Sequence, residues 1–172
     1  MDWQSIITEH GPMVWQTAYR LLGNEADTSD CFQDVFLTAV QVSRREKIRN
    51  LPALLNHLAT NKAIDLLRIR MRTAELVPLD CDNCPDKSAN SADLFENREL
   101  ADHLRQAIAS LPELEAQAFC MQTFNDLSYR QIAAQLQVKT GYVGALISRA
   151  KEKLQRLFSS AVVNEEIRSK AV

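Results

Sequence analysis

Chain breakers are scarce in this 172-residue sequence, which holds four glycines and five prolines. A fold of many short strands and tight turns needs more of both. Their scarcity, with the abundance of Ala, Leu, Glu, Gln and Arg, favours helices throughout. Aromatic residues are also few, and between residues 37 and 128 they are limited to Phe95, Phe119 and Phe124. Four scattered cysteines cannot make a disulfide framework. No window holds the roughly 18 apolar residues that a membrane span requires. Met1 to His10 lacks a basic segment running into an apolar one, so no secretory signal is visible. These absences predict a cytoplasmic chain without membrane insertion. A Gly-rich phosphate loop, a G-x-S-x-G elbow and an HExxH pair are missing too, so the expectation is no enzyme and no cofactor.

What is present is charge, arranged in blocks. The net charge is only −2, but residues 23–43 carry Glu25, Asp27, Asp30 and Asp34 and no cation. Residues 44–75 reverse the sign, with eight Lys and Arg against three acidic residues. Residues 76–103 are acidic again, and residues 128–158 hold six cations against Glu152 alone. A nearly neutral total therefore conceals two local basic regions suited to a polyanion. Either block alone would read as a solvated helix face.

Apolar spacing predicts a helix over Trp3 to Leu22, with a break or restart near Gly11-Pro12, ended by Gly23-Asn24. Asp27 to Asp30 offer caps for a second helix reaching about Ser43. Residues 44–52 read as a loop closed by Pro52, and a third helix runs from Ala53 to about Arg72. Periodicity is lost over residues 76–92, where two prolines and many turn formers mark a linker. A second helical region follows from Asp93 to about Phe158, divided at Pro112. The expected architecture is all-α: two small helical domains, residues 1–75 and 95–160, joined by a flexible acidic linker over 76–94, with a tail from 161 to 172.

Ser128-Tyr129-Arg130-Gln131 has capping-box spacing at a helix start. A short helix with Ile132, Ala133 and Leu136 leads to a break at 137–141, then to a helix carrying Val143, Leu146, Ile147, Ala150 and Leu154. Small Ala133 admits close helix approach and Val138 plugs the turn. A short helix, a tight turn and a longer basic helix place one helix in a DNA major groove. Lys139, Thr140, Tyr142, Arg149, Lys151 and Lys153 are the candidate contacts to phosphates and base edges. A basic helical hairpin without nucleic acid is the plainer alternative.

Three stretches resemble a known family. YRLLGNEADTSDCFQDVFLTAV (Tyr19 to Val40) resembles region two of extracytoplasmic-function RNA polymerase sigma factors. NHLATNKAIDLLRIRMR (Asn56 to Arg72) is similar to the helix that follows it. The stretch Ala109 to Leu157 resembles region four, the helix-turn-helix. The resemblance implies core RNA polymerase and promoter DNA as partners, with Asp30, Gln33, Asp34 and Phe36 on the polymerase. It implies that residues 44–50 form a loop capturing a flipped promoter base. Arg44, Arg45, Lys47, Arg49, Asn50, Asn61, Lys62, Arg68, Arg70 and Arg72 then fall on the downstream promoter element. Sequestration by an anti-sigma factor, often membrane-bound, is implied as well. The family often has aromatic residues where this chain has Leu51, Leu54 and Asn56, so bases cannot stack there. Polar or basic family residues are replaced here by Gly144, Ala145 and Leu146.

Cys81-x-x-Cys84 in the linker is half of a zinc site, a dithiol, or two ordinary cysteines. Two rival functions remain open. A stand-alone helix-turn-helix regulator would need a dimer surface to match a two-fold site, and no heptads are visible. A thiol- or metal-sensing adaptor would leave the two basic blocks unexplained.

Overall fold

The structure is a computed structural model that describes the backbone of residues 2–76 and 92–169 and the side chains of residues 2–73 and 98–159. The described residues form seven helices: α1 (Trp3–Leu22), α2 (Glu25–Arg45), α3 (Leu51–Leu76), α4 (Ala92–Ser110), α5 (Glu113–Thr123), α6 (Tyr129–Leu136) and α7 (Thr140–Ser169). The proposed linker falls almost wholly outside the described residues, as do Cys81 and Cys84. Among the described residues no helix is long and apolar enough to cross a membrane.

The first helix starts at Asp2, whose carboxylate accepts from the Gln4 amide at 3.1 Å. It does not break at Pro12, which lies inside a continuous helix. A mid-helix proline forfeits a hydrogen bond and costs about 3 kcal/mol. Burial of Val14, Ala18, Leu21 and Leu22 in the turns beyond it offsets that loss. Gly23 ends α1 in the left-handed region at φ 73°, its N–H donating to the Tyr19 carbonyl. Asn24, rather than Asp27 or Asp30, caps α2: its Oδ1 accepts from the Asp27 N–H at 2.8 Å while its Nδ2 donates to the Asp27 carboxylate. With one residue between αL glycine and helix, the nearest side chain able to fold back takes the cap. Pro52 sits in the first turn of α3 rather than closing a loop, where its missing N–H costs nothing.

Helices α1, α2 and α3 enclose Val14, Leu21, Val35, Phe36, Leu55 and Ile64. A smaller core joins α5, α6 and α7 through Met121, Ile132, Leu136, Val143, Leu146 and Ile147. The halves do not stand apart. The first core continues without a gap into Ile108, Leu111, Phe119, Ala150 and Leu154 of the second half. Backbone helix extends through Ser169, well into the stretch expected to be tail.

Candidate nucleic-acid interface

On α2, the exposed side chains Asp30, Gln33, Asp34 and Leu37 follow i, i+3, i+4, i+7 spacing and so share one face. Phe36 is not part of it. It is only 6% exposed and its ring packs on Phe32 at 4.9 Å between centroids, inside the bundle. Leu37, 61% exposed, takes its place as the apolar member of that face. The helical repeat already carried this signal, since Leu37 is three residues beyond Asp34 and Phe36 is only two.

Arg44, Arg45, Lys47 and Arg49 are exposed at the end of α2 and along the connection to α3. Asn50 lies beside them, but its Oδ1 accepts from the Ala53 N–H at 3.1 Å and so caps α3. Asn61 is half-buried and bonded to His57 one turn back, at 3.1 Å. Burial holds the His57 imidazole below its ordinary pKa, which favours the neutral ring. Lys62 meets Asp34 at 3.4 Å and Arg70 meets Asp27 at 3.7 Å. Arg72 is exposed. Arg68 is turned inward: its guanidinium donates to the Ala109 and Leu111 carbonyls at 3.3 and 3.0 Å, at the end of α4.

The helix-turn-helix forms as its sequence requires. Ser128 Oγ accepts from the Gln131 N–H, and the Ser128 N–H donates to Gln131 Oε1 at 2.9 Å, closing the capping box. Ala133 is buried and Val138 packs on the same core. The left-handed residue of the turn is Gln137 at φ 54°, and α7 opens at Thr140, one residue before the expected break ends. Lys139, Thr140, Tyr142, Arg149 and Lys151 are all exposed. The Arg149 guanidinium lies 5.8 Å from the Tyr142 ring centroid, which keeps both on one face of α7. Lys153, one turn beyond Arg149 on the same side of α7, turns its ammonium to α5 and bonds the buried carboxylate of Glu115 at 2.7 Å. At Gly144 an added Cβ would meet only the Tyr129 ring, at 3.6 Å, so the free chain does not itself need a glycine there.

Buried thiols complete the inventory. Burial, with the Asp34 charge adding to it, pushes Cys31 up to about 12, and burial raises Cys120 further still. Both are inert as thiolates at neutral pH.

Comparison with known proteins gives matches to both halves in order. The family profile described as Sigma-70 region 2 matches residues 6–73, and Sigma-70, region 4 matches residues 101–154. The chain is 30% identical over 155 residues to the ECF RNA polymerase sigma factor SigE of Mycolicibacterium smegmatis. That match takes in 90% of this chain but only 60% of the relative's length. It is 25% identical to SigW of Bacillus subtilis, over 88% of this chain and 86% of SigW. Two solved structures share the fold. Sigma factor RpoE in complex with the anti-sigma factor NepR from Bartonella quintana gives a TM-score of 0.55 at 21% identity, over 92% of this chain and 97% of that one. CnrH in complex with the cytosolic domain of CnrY gives 0.60 at 22%, over 91% and 87%.

Proposed function

Because this chain belongs to the sigma-70 family, with regions 2 and 4 in sequence order and the two-region layout of extracytoplasmic-function members, we propose that it binds core RNA polymerase and directs initiation at a specific set of promoters. The observation that carries the reading is the α2 face of Asp30, Gln33, Asp34 and Leu37. An exposed acidic stripe centred on one large apolar side chain suits a basic helical partner, with charge setting orientation and Leu37 supplying buried area.

In this reading Lys139, Thr140, Tyr142, Arg149 and Lys151 present α7 to the major groove of the upstream element. Arg44, Arg45, Lys47 and Arg49 hold the backbone of the downstream element, with Lys62, Arg70 and Arg72 tracking phosphates along α3. The chain supplies positioning and strand capture, and bond-making belongs to the polymerase. An anti-sigma protein is a further expected partner, since the sigma factor RpoE of Bartonella quintana was solved bound to one. A stand-alone regulator would leave the α2 face without a use.

The test is transcription in vitro by purified core polymerase on a promoter library, with Asp34→Lys as the disabling variant. Promoter-specific initiation that Asp34→Lys abolishes would tie the activity to the α2 docking face. Failure of core polymerase to bind the wild-type chain would end the proposal.

A further inference from the structure

Arg149 of α7 is held by a ring rather than by an acid. Its guanidinium lies over Tyr142, 5.8 Å from the ring centroid. Arg20, Arg68 and Arg105 spend their donors on backbone carbonyls of other elements. The acidic residues close to Arg149 in the helix-turn-helix are taken by other cations. Glu152, three residues on, bonds Arg156, and Glu115 of α5 bonds Lys153, one turn beyond Arg149. Among the described residues Arg149 has no hydrogen bond or ion pair of its own. Its N–H donors are unspent, and the aromatic ring fixes where they lie.

The position is the telling part. Arg149 stands two turns beyond Tyr142, about 10 Å along the helix axis. Long side chains on a helix lean toward its N-terminus. The ring therefore gathers the guanidinium toward the first turns of α7, the end that a helix-turn-helix presents to base edges. Beside the pair runs a ridge of Gly141, Ala145 and Ser148 at i, i+4 and i+7, with no side chain larger than that of serine. A Cβ added at Gly141 would meet nothing within 4 Å. No bulky side chain of this ridge stands between the guanidinium and the floor of a groove.

A guanidinium donates two parallel N–H bonds to O6 and N7 of guanine, a pair of acceptors that no other base presents in the major groove. An exposed arginine loses rotamer freedom when it makes such a fork. Stacking on Tyr142 removes part of that freedom before DNA arrives.

We propose that Tyr142 is the positioning residue for Arg149, and that through this pair α7 discriminates a guanine in the sequence it reads. The assignment of α7 to DNA rests on the function proposed above; the support of Arg149 by the Tyr142 ring does not. Tyr142 is 41% exposed, so circular dichroism of variants at this position should match wild type.

The test is selection from a randomised duplex library, by the full chain alone and by the chain bound to core polymerase, with the bound fraction sequenced. Wild type should prefer guanine at one position by about fivefold or more, and Arg149→Ala should erase that preference. Arg149→Lys keeps the charge without the fork, so it should lose the preference too. Tyr142→Ala should weaken it about two- to fivefold and leave the other positions unchanged, while Tyr142→Phe, which keeps the ring, should retain it. Added to Arg149→Ala, Tyr142→Ala should cost nothing further at that position. An Arg149-dependent preference that Tyr142→Ala leaves intact would overturn the proposal. So would equal losses in Tyr142→Ala and Tyr142→Phe, which would make the hydroxyl a contact in its own right. Selection of no guanine by wild type in either arm would overturn it as well. Guanine selection by a chain that does not bind core polymerase would support the pair and defeat the sigma reading.

Discussion

Lys153 reads from sequence as a DNA contact and from structure as an internal tie, and one substitution decides between them. In Lys153→Ala the buried Glu115 carboxylate loses the ammonium bonded to it at 2.7 Å. Removing one partner of a fully buried pair costs about 3–5 kcal/mol, and a fully exposed pair is worth about 0–1 kcal/mol. Here the carboxylate is buried and the lysine side chain is 42% exposed, so water screens one side and roughly 1.5–3 kcal/mol is expected. At about 2–4 °C per kcal/mol for a chain of this size, Tm should fall by roughly 3–12 °C. Adding Glu115→Gln should restore part of the loss, because it removes the stranded charge while keeping an acceptor. Binding to a duplex oligonucleotide as a function of salt supplies the complementary measurement. A phosphate contact contributes about 0.9 to the log–log slope, so Lys151→Ala should lower the slope by that amount and Lys153→Ala should leave it unchanged. A Lys153→Ala chain with unaltered Tm and a reduced slope would refute the argument.

Other substitutions test the backbone and the buried groups by thermal denaturation and labelling. Gly23→Ala places a Cβ at φ 73° and 2.4 Å from the Arg105 guanidinium carbon; the backbone alone costs about 1–2 kcal/mol, and Tm should drop accordingly. Gly144→Ala should do the opposite, raising stability by about 1 kcal/mol through helix propensity, since only the Tyr129 ring lies near the new methyl. Neutral His57 is favoured in the folded chain and its ordinary pKa is 6.5, so the unfolded chain takes up its proton first. Its contribution to stability is whole above pH 6.5 and is lost as pH falls through the lowered folded value; His57→Gln should flatten that acid limb of Tm against pH. Cys31, with its thiol pushed up to about 12, should resist iodoacetamide at pH 8 in the native chain and react once the chain is denatured, as read by mass spectrometry.

The helices were legible because apolar residues recur at the helical period whatever they pack against. Ser128 and Gln131 declared a capping box, Ala133 and Val138 declared a tight turn, and the structure contains both. Local cues misled where tertiary packing outweighed them. Pro12 signals a break, yet the helix continues because the apolar face beyond it is buried on two neighbours. The break read over 137–141 is shorter in the structure, because Gln137 takes the αL position one residue past α6 and α7 has already begun at Thr140. The contact between the two halves was illegible for a different reason. Periodicity says that Asn56 and Thr60 share the buried face of α3, but a polar residue on a buried face does not name its partner. That partner, Asn125, is 69 residues away in sequence.

The cations of the two basic blocks are consequently not equivalent, and energies sort them. Lys62 with Asp34 and Arg70 with Asp27 are pairs at the surface, worth about 0–1 kcal/mol each. A phosphate displaces such a partner at little cost, so pairing does not remove these residues from a DNA-binding surface. Arg68 is different, because its two carbonyl acceptors lie at the end of α4 in the other half, where the helix dipole favours a cation. Lys153 differs again, since releasing it leaves a carboxylate buried within one half and no domain motion relieves that. Composition counts all four as positive charge. Burial of the opposing group separates the cations that stay free to meet a polyanion from those that hold the fold.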